Sequence, residues 1–287
     1  MKLGVAGYGI PDDLEDIDLK VLRNLKNDGF SGFFGGSEEK MEALGSEGRK
    51  RLKNLCEDEG VEISSWFVVT QTHIRPNHPD KKKDVESFRR SADMAVEVGC
   101  KSIGTSPGSL DDRGRWFAHP DNWKQEPLDM LAESLSEIVQ FFEGSDVKLC
   151  LEYGSPTVVH TPERARWLAD QVNSPNLGAY ADPANWIHGY DLIFNNTDVI
   201  NHAFDVLGDS IYAAHARDFW VDDGAEGMTL KTGGAGQGIM DYETFLKRSN
   251  DLDPNMSILI EHTPQDKILD ARDYIKETAA RIGVPMD

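Results

Sequence analysis

Lys148-Leu-Cys-Leu151 is a short strand-like run that stops on a carboxylate, Glu152, and the pattern returns three times downstream. Leu177-Gly-Ala-Tyr-Ala181 runs into Asp182, Ile211-Tyr-Ala-Ala214 into His215, and Ser257-Ile-Leu-Ile260 into Glu261. The successive gaps of 30, 33 and 46 residues each have room for one strand, one helix and two loops. If the strands are parallel neighbours, their carboxyl ends lie side by side, about 5 Å between adjacent backbones. Two glutamates, one aspartate and one histidine then converge. A single acid just past a strand is ordinary, because polar loops begin there. Four consecutive units that break at the same relative position point to one metal-binding site on the active face of a barrel.

Working outward, further strand-like runs begin near Leu3, Phe30, Glu62 and Lys101, ahead of those near Val147, Asn176, Ser210 and Met256. Helical spacing lies between them. The segment from Asp80 runs to Gly99, where a helix C-terminus is expected. Thr161 offers an N-cap with Pro162 at the first helical position. Leu128 to Phe142 repeats apolar residues at three- and four-residue steps, and Lys267 to Ile282 reads as a last helix. Alternating strands and helices predict a parallel sheet. Eight such units in about 250 residues predict an α/β fold, one (β/α)8 TIM barrel filling residues 1–287 as a single domain. A doubly wound sheet is the competing fold. It needs a Gly-rich first turn, whereas Gly4-Val-Ala-Gly7-Tyr-Gly9 reads as part of the first strand.

No linker or low-complexity segment divides the chain. The longer loops, Thr105 to Gln125 and Arg217 to Met240, both follow strand ends on the face where barrel sites form. Gly233-Gly-Ala-Gly-Gln-Gly238 lacks the spacing and the βαβ setting of a dinucleotide fingerprint. It reads as a mobile connector, and less well as a phosphate cradle.

The balance of 50 acidic against 30 basic residues gives a net charge of −20. Such a surface repels nucleic-acid phosphates, so no nucleic-acid partner is expected. Self-repulsion of this size is tolerable where salt screens it, which suits a halophilic, salty cytoplasm; an ordinary acidic enzyme is the plainer reading. No run of about 18 apolar residues exists, so no membrane span is expected. The N-terminus begins on a strand pattern rather than a signal peptide, so a cytoplasmic location is expected. Cys56, Cys100 and Cys150 form no closely spaced framework, and Cys150 reads as a small core residue.

With Glu152, Asp182, His215 and Glu261 on the fifth to eighth strands, the chain resembles the xylose isomerase-like TIM barrels, the sugar (phosphate) isomerase/epimerase family. The resemblance spans nearly the full length. It is strongest in Leu151-Glu152-Tyr153, Ala181-Asp182-Pro183-Ala184-Asn185-Trp186, Ala214-His215-Ala216-Arg217-Asp218 and Ile260-Glu261-His262, and Gly236 to Phe245 adds to it. It implies that the four residues bind one divalent cation, often manganese. Two departures stand out. Many members carry a histidine three residues after the strand-six aspartate, where this chain has Asn185, with His188 three further on. Ketose epimerases place a second glutamate shortly after the strand-five ligand, where this chain has Gly154-Ser-Pro-Thr-Val-Val159. The histidines needed for the three-zinc site of the related AP endonucleases are missing too.

Three carboxylates and an imidazole suit Mn²⁺, Mg²⁺ or Co²⁺, with Zn²⁺ also compatible, and the resemblance puts Mn²⁺ first. The expected substrate is a small sugar or cyclitol, and the expected reaction an isomerisation or epimerisation through an enediolate. Glu152 and Glu261 are expected to exchange the proton. Arg217 points into the same mouth and could bind a hydroxyl or stabilise enediolate charge; its plainer reading is a surface ion pair with Asp218 or Asp222. Asn185, His188 and His73 are further substrate-contact candidates, and His262 could orient Glu261. Of Trp66 and Phe67, one faces the barrel and the other the helices. A dehydratase on an inosose-like keto-cyclitol uses the same α-proton chemistry. A metal-dependent phosphoesterase related to the AP endonucleases is the more distant alternative. A homo-oligomer is compatible with all of these.

Overall fold

The computed structural model describes residues 1–75, 77–224 and 227–287. Its strands are β1 (Lys2–Val5), β2 (Gly32–Ser37), β3 (Glu62–Phe67), β4 (Ser102–Thr105), β5 (Lys148–Leu151), β6 (Leu177–Ala181), β7 (Ile211–Ala216), β8 (Asp218–Gly224), β9 (Gly227–Gly233) and β10 (Ser257–Ile260). Eight of them close a barrel in the order β1-β10-β7-β6-β5-β4-β3-β2. Every pairing in it is parallel, and β1 meets both β2 and β10. Closure excludes the doubly wound alternative, whose sheet is open. The first strand stops at Val5, however, and Gly7 and Gly9 lie beyond it with φ of 71° and 67°. A Gly-rich first turn therefore exists; closure, not its absence, decides the fold.

Local signals explain several helix ends. Gly99 ends the helix Lys81–Val98 in the left-handed region, and its N–H returns to the carbonyls of Ala95 and Val96. Thr161 caps the helix Pro162–Val172, its side chain accepting the Arg164 N–H. The Leu128 to Phe142 pattern starts earlier than expected, at Gln125, and its last turn, Val139–Phe142, tightens to a 3₁₀ helix.

Two apolar layers hold the barrel. Outside it, strand residues such as Trp66 meet the helices. Inside, Cys150, Tyr180 and Ala213 pack with Phe67 and Tyr212. Trp66 and Phe67 thus divide as alternation requires. The interior is narrow: a Cβ on Gly178 would lie 2.2 Å from the Tyr212 ring. Tyr180 stacks on His215 at 4.3 Å between ring centroids, so the packed interior forms the floor beneath the strand ends. No helix among the described residues is long and apolar enough to cross a membrane.

The segment after β7 departs from expectation. Instead of a loop, β8 and β9 form an antiparallel hairpin from Asp218↔Gly233 to Gly224↔Gly227. Nor is the glycine stretch after it a loose connector. Asp218 is buried, and its carboxylate accepts the N–H groups of Phe219, Gly236 and Met240 at 2.8, 3.0 and 2.9 Å. The Gly234 N–H goes to Gln237. With the Gly234 and Gly236 donors engaged, the stretch is a pinned turn and not a phosphate cradle.

Candidate metal centre

Glu152 directly follows β5, Asp182 follows β6, and Glu261 follows β10, while His215 is the penultimate residue of β7. Register brings them level: Leu259 of β10 pairs with His215, and Ala181 of β6 with Ala214. One ligand atom from each of the four lies within 4.8 Å of all the others. Nδ1 of His215 faces Glu261 Oε1 at 3.3 Å, Glu152 Oε1 at 3.6 Å and Asp182 Oδ2 at 3.7 Å. Among the described residues, both nitrogens of this fully buried histidine lack a hydrogen-bond partner, as does Glu261 Oε1. Buried polar atoms are rarely left so. A divalent cation with ligand distances of about 2.0–2.2 Å would engage donors spaced in this way, so the residues present fit one.

The electrostatics agree. Burial disfavours an imidazolium at His215, but Glu261, Asp182 and Glu152 outweigh it and hold the histidine well above its ordinary range. A proton there occupies the place of a cation, because a ligating histidine must be neutral. Burial, followed by the Glu261 and Asp182 charges, pushes Glu152 up against the pull of His215. Burial would also raise Asp182, yet Arg217 and His215 hold it well below the usual carboxylate range. Glu261 moves down in the same way, burial being outweighed by His215 and Arg217. The two glutamates are therefore displaced in opposite directions.

Two neighbours fix the carboxylates. Asn185, in the short helix Pro183–Trp186, donates from Nδ2 to Asp182 Oδ2 at 2.7 Å and to Glu152 Oε1 at 3.0 Å. Arg217 is 8% exposed and pairs with Asp182 at 2.5 Å and Glu261 at 3.3 Å. It does not pair with Asp218, whose oxygens are spent on backbone N–H groups, and Tyr242 holds the Arg217 carbonyl at 2.9 Å. Among the described residues, neither His73 nor His188 is hydrogen-bonded to the four. His73 is fully buried against Phe88, its Nδ1 2.8 Å from the Thr70 hydroxyl. His188 is exposed, its Nδ1 3.1 Å from the Trp186 carbonyl, beside a cavity of about 190 Å³ shared with His160 and His202. His262 is exposed, 3.8 Å from Glu261, with φ of 49°. A larger cavity, about 620 Å³ between Lys2, Phe30, Cys56 and Glu62, opens at the strands' amino ends, the face that serves stability in barrels.

The sequence reading overlooked Asp218 as the clamp behind Arg217, and Arg115 in the loop after β4. An aspartate right after a strand gave some signal for the first; nothing local distinguished the second.

A family profile described as xylose isomerase-like TIM barrel matches residues 22–280. No curated protein matches the sequence significantly. Several solved structures are similar in fold. A D-tagatose 3-epimerase-like protein shares 20% identity at a TM-score of 0.72, covering 99% of this chain and 98% of its own. A xylose isomerase-like TIM barrel protein from Mycobacterium smegmatis, in complex with magnesium, shares 16% at 0.71, covering 98% and 97%. The 3-keto-D-glucoside 4-epimerase of E. coli shares 15% at 0.71, covering 96% and 99%.

Proposed function

Because the chain belongs to the xylose isomerase-like TIM barrel family, we propose that it is a divalent-metal-dependent isomerase or epimerase of a small sugar, built as one barrel domain. The observation that carries this reading is the convergence of Glu152, Asp182, His215 and Glu261, with buried ligand atoms that have no hydrogen-bond partner among the described residues. Those four residues would hold the cation, Mn²⁺ in line with the family resemblance, with Mg²⁺, Co²⁺ and Zn²⁺ as substitutes. When bound, it supplies Lewis acidity to a hydroxy-carbonyl substrate, which makes the neighbouring C–H more acidic.

The chain's own groups do the rest. Glu152 and Glu261 exchange the proton, one taking it from the C–H and the other returning it. Return to the neighbouring carbon isomerises; return to the opposite face epimerises. Asn185 keeps Glu152 and Asp182 in fixed rotamers, and Arg217 offsets the negative charge that develops on the enediolate.

The test is deuterium exchange from D2O into the C–H beside the carbonyl, with Mn²⁺, across a panel of ketoses, aldoses and inosose. Exchange with recovery of an isomer or epimer supports the reading. Exchange with loss of water would convert it to a dehydratase on a keto-cyclitol. A protein that binds Mn²⁺ yet exchanges no member of the panel, and instead cleaves a phosphodiester, would overturn it.

A further inference from the structure

The chain has fourteen arginines. Thirteen engage a carboxylate or a backbone carbonyl. Arg115, on the long loop between β4 and the helix Gln125–Ile138, is the exception: among the described residues it makes no ion pair and donates no hydrogen bond. Its Nε is buried without a partner. In a protein with 50 acidic residues that isolation requires a cause.

The cause is in the loop itself. Asp111 is taken by both arms of Arg113 at 2.8 and 2.9 Å, and Asp112 by Arg75 at 2.5 Å. Ser109 bonds the Phe117 carbonyl at 2.6 Å, and Asn122 ties Ser109 to the Pro156 carbonyl. The segment is thus closed on itself, with Arg115 left over. It also lies beside the metal centre. A Cβ on Gly154 would sit 3.4 Å from the ring of Trp116 and 3.1 Å from Asn185 Cβ, and Asn185 bonds Glu152 and Asp182. Burial pulls the Arg115 guanidinium below its ordinary range, and Glu152 and Glu38, within Coulombic reach, restore only part of it. Both are otherwise engaged: Glu152 accepts from Asn185, and Glu38 accepts the Val69 N–H at 3.1 Å.

We propose that Arg115 anchors an anionic group on the substrate, a phosphate monoester or a carboxylate, at the end of the molecule away from the four converging ligands. This rests on the sugar-enzyme reading above and narrows its substrate to the acidic members of that class. An unpaired guanidinium presents a planar fork of donors that matches either anion with two parallel hydrogen bonds. A neutral hydroxyl would leave its charge uncompensated.

The experiment labels the Mn²⁺-loaded protein with phenylglyoxal and follows the adduct at Arg115 by peptide mass spectrometry. D-fructose, D-fructose 6-phosphate and D-fructuronate are the competing probes. Arg115 is expected to be labelled, and one of the two anions should slow it about tenfold while fructose does not. Whichever anion protects identifies the group. Calorimetric affinity for that anion should fall roughly 10- to 100-fold in Arg115→Gln, the range for a hydrogen bond to a charged group, with Mn²⁺ affinity the same in both proteins. Equal protection by fructose, no protection by either anion, or an unchanged affinity in Arg115→Gln would overturn the assignment. Protection without C–H exchange in any sugar would sink the proposed reaction and leave the anchor standing. Exchange of neutral sugars without protection would do the reverse.

Discussion

Arg217 Nη2 lies 2.5 Å from Asp182 Oδ2, the oxygen that also receives Asn185 and faces His215. A guanidinium and the proposed cation therefore share one carboxylate. Arg217→Gln leaves three buried carboxylates with less positive charge, and removal of one partner from a buried pair costs roughly 3–5 kcal/mol. The metal-free variant should melt well below wild type, and Mn²⁺ should recover most of the difference. Turnover of the Mn²⁺-loaded variant should still be low. Thermal melts with and without Mn²⁺ check this, and a variant that Mn²⁺ cannot rescue would make Arg217 a fold residue only.

Asp182→Ala removes a proposed ligand that lies outside the packed interior of the barrel. Metal affinity should fall at least about tenfold, as second-sphere losses alone cost that much, while the far-UV spectrum and a cooperative melt remain. Loss of the fold at high salt would reassign the residue to structure.

Glu152→Gln and Glu261→Gln separate ligation from proton transfer. Glutamine keeps a ligating oxygen but accepts no proton at working pH. At saturating Mn²⁺, with bound metal counted, turnover and deuterium exchange should each fall by roughly 10²-fold or more. Near wild-type turnover in loaded Glu261→Gln would leave Glu261 a ligand alone.

Burial lowers the His73 pKa from 6.5 to about 4. The native state thus resists a proton that the unfolded chain accepts below pH 6.5. Stability from this group is complete above pH 6.5 and drains away as pH falls toward 4, a loss of order 3 kcal/mol. His160, also lowered to about 4, adds in the same direction, less so because it is only part-buried. Urea midpoints at pH 7.5 and 4.5 should differ less in His73→Gln than in wild type. An equal drop in both proteins would show that the acid sensitivity lies elsewhere.

A net charge of −20 disfavours the compact state at low salt. Raising KCl from 0.1 to 2 M cuts the screening length to a few ångströms, and the melting temperature should rise by several degrees. A flat or falling melting temperature would remove the salty-cytoplasm reading.

The barrel and its four strand-end residues were legible because both rest on local pattern: strand-length runs, helical spacing, and one residue past each run. What depends on competition for partners was not. Arg217 lies beside the four residues, and its choice of Asp182 over Asp218 follows from three backbone N–H groups that occupy Asp218. The β8–β9 hairpin was overlooked because the segment follows a strand end, where loops are the rule. Arg115 looks like any loop arginine until the neighbouring acids are all accounted for.

The clasp at Asp218 has a mechanical consequence. By gathering Phe219, Gly236 and Met240 at one carboxylate, it closes the base of the hairpin independently of what lies beyond. The outer rungs, from Trp220↔Lys231 to Gly224↔Gly227, can lengthen, shorten or change sequence without moving Arg217. The arm is thus mechanically separate from the base that holds Arg217.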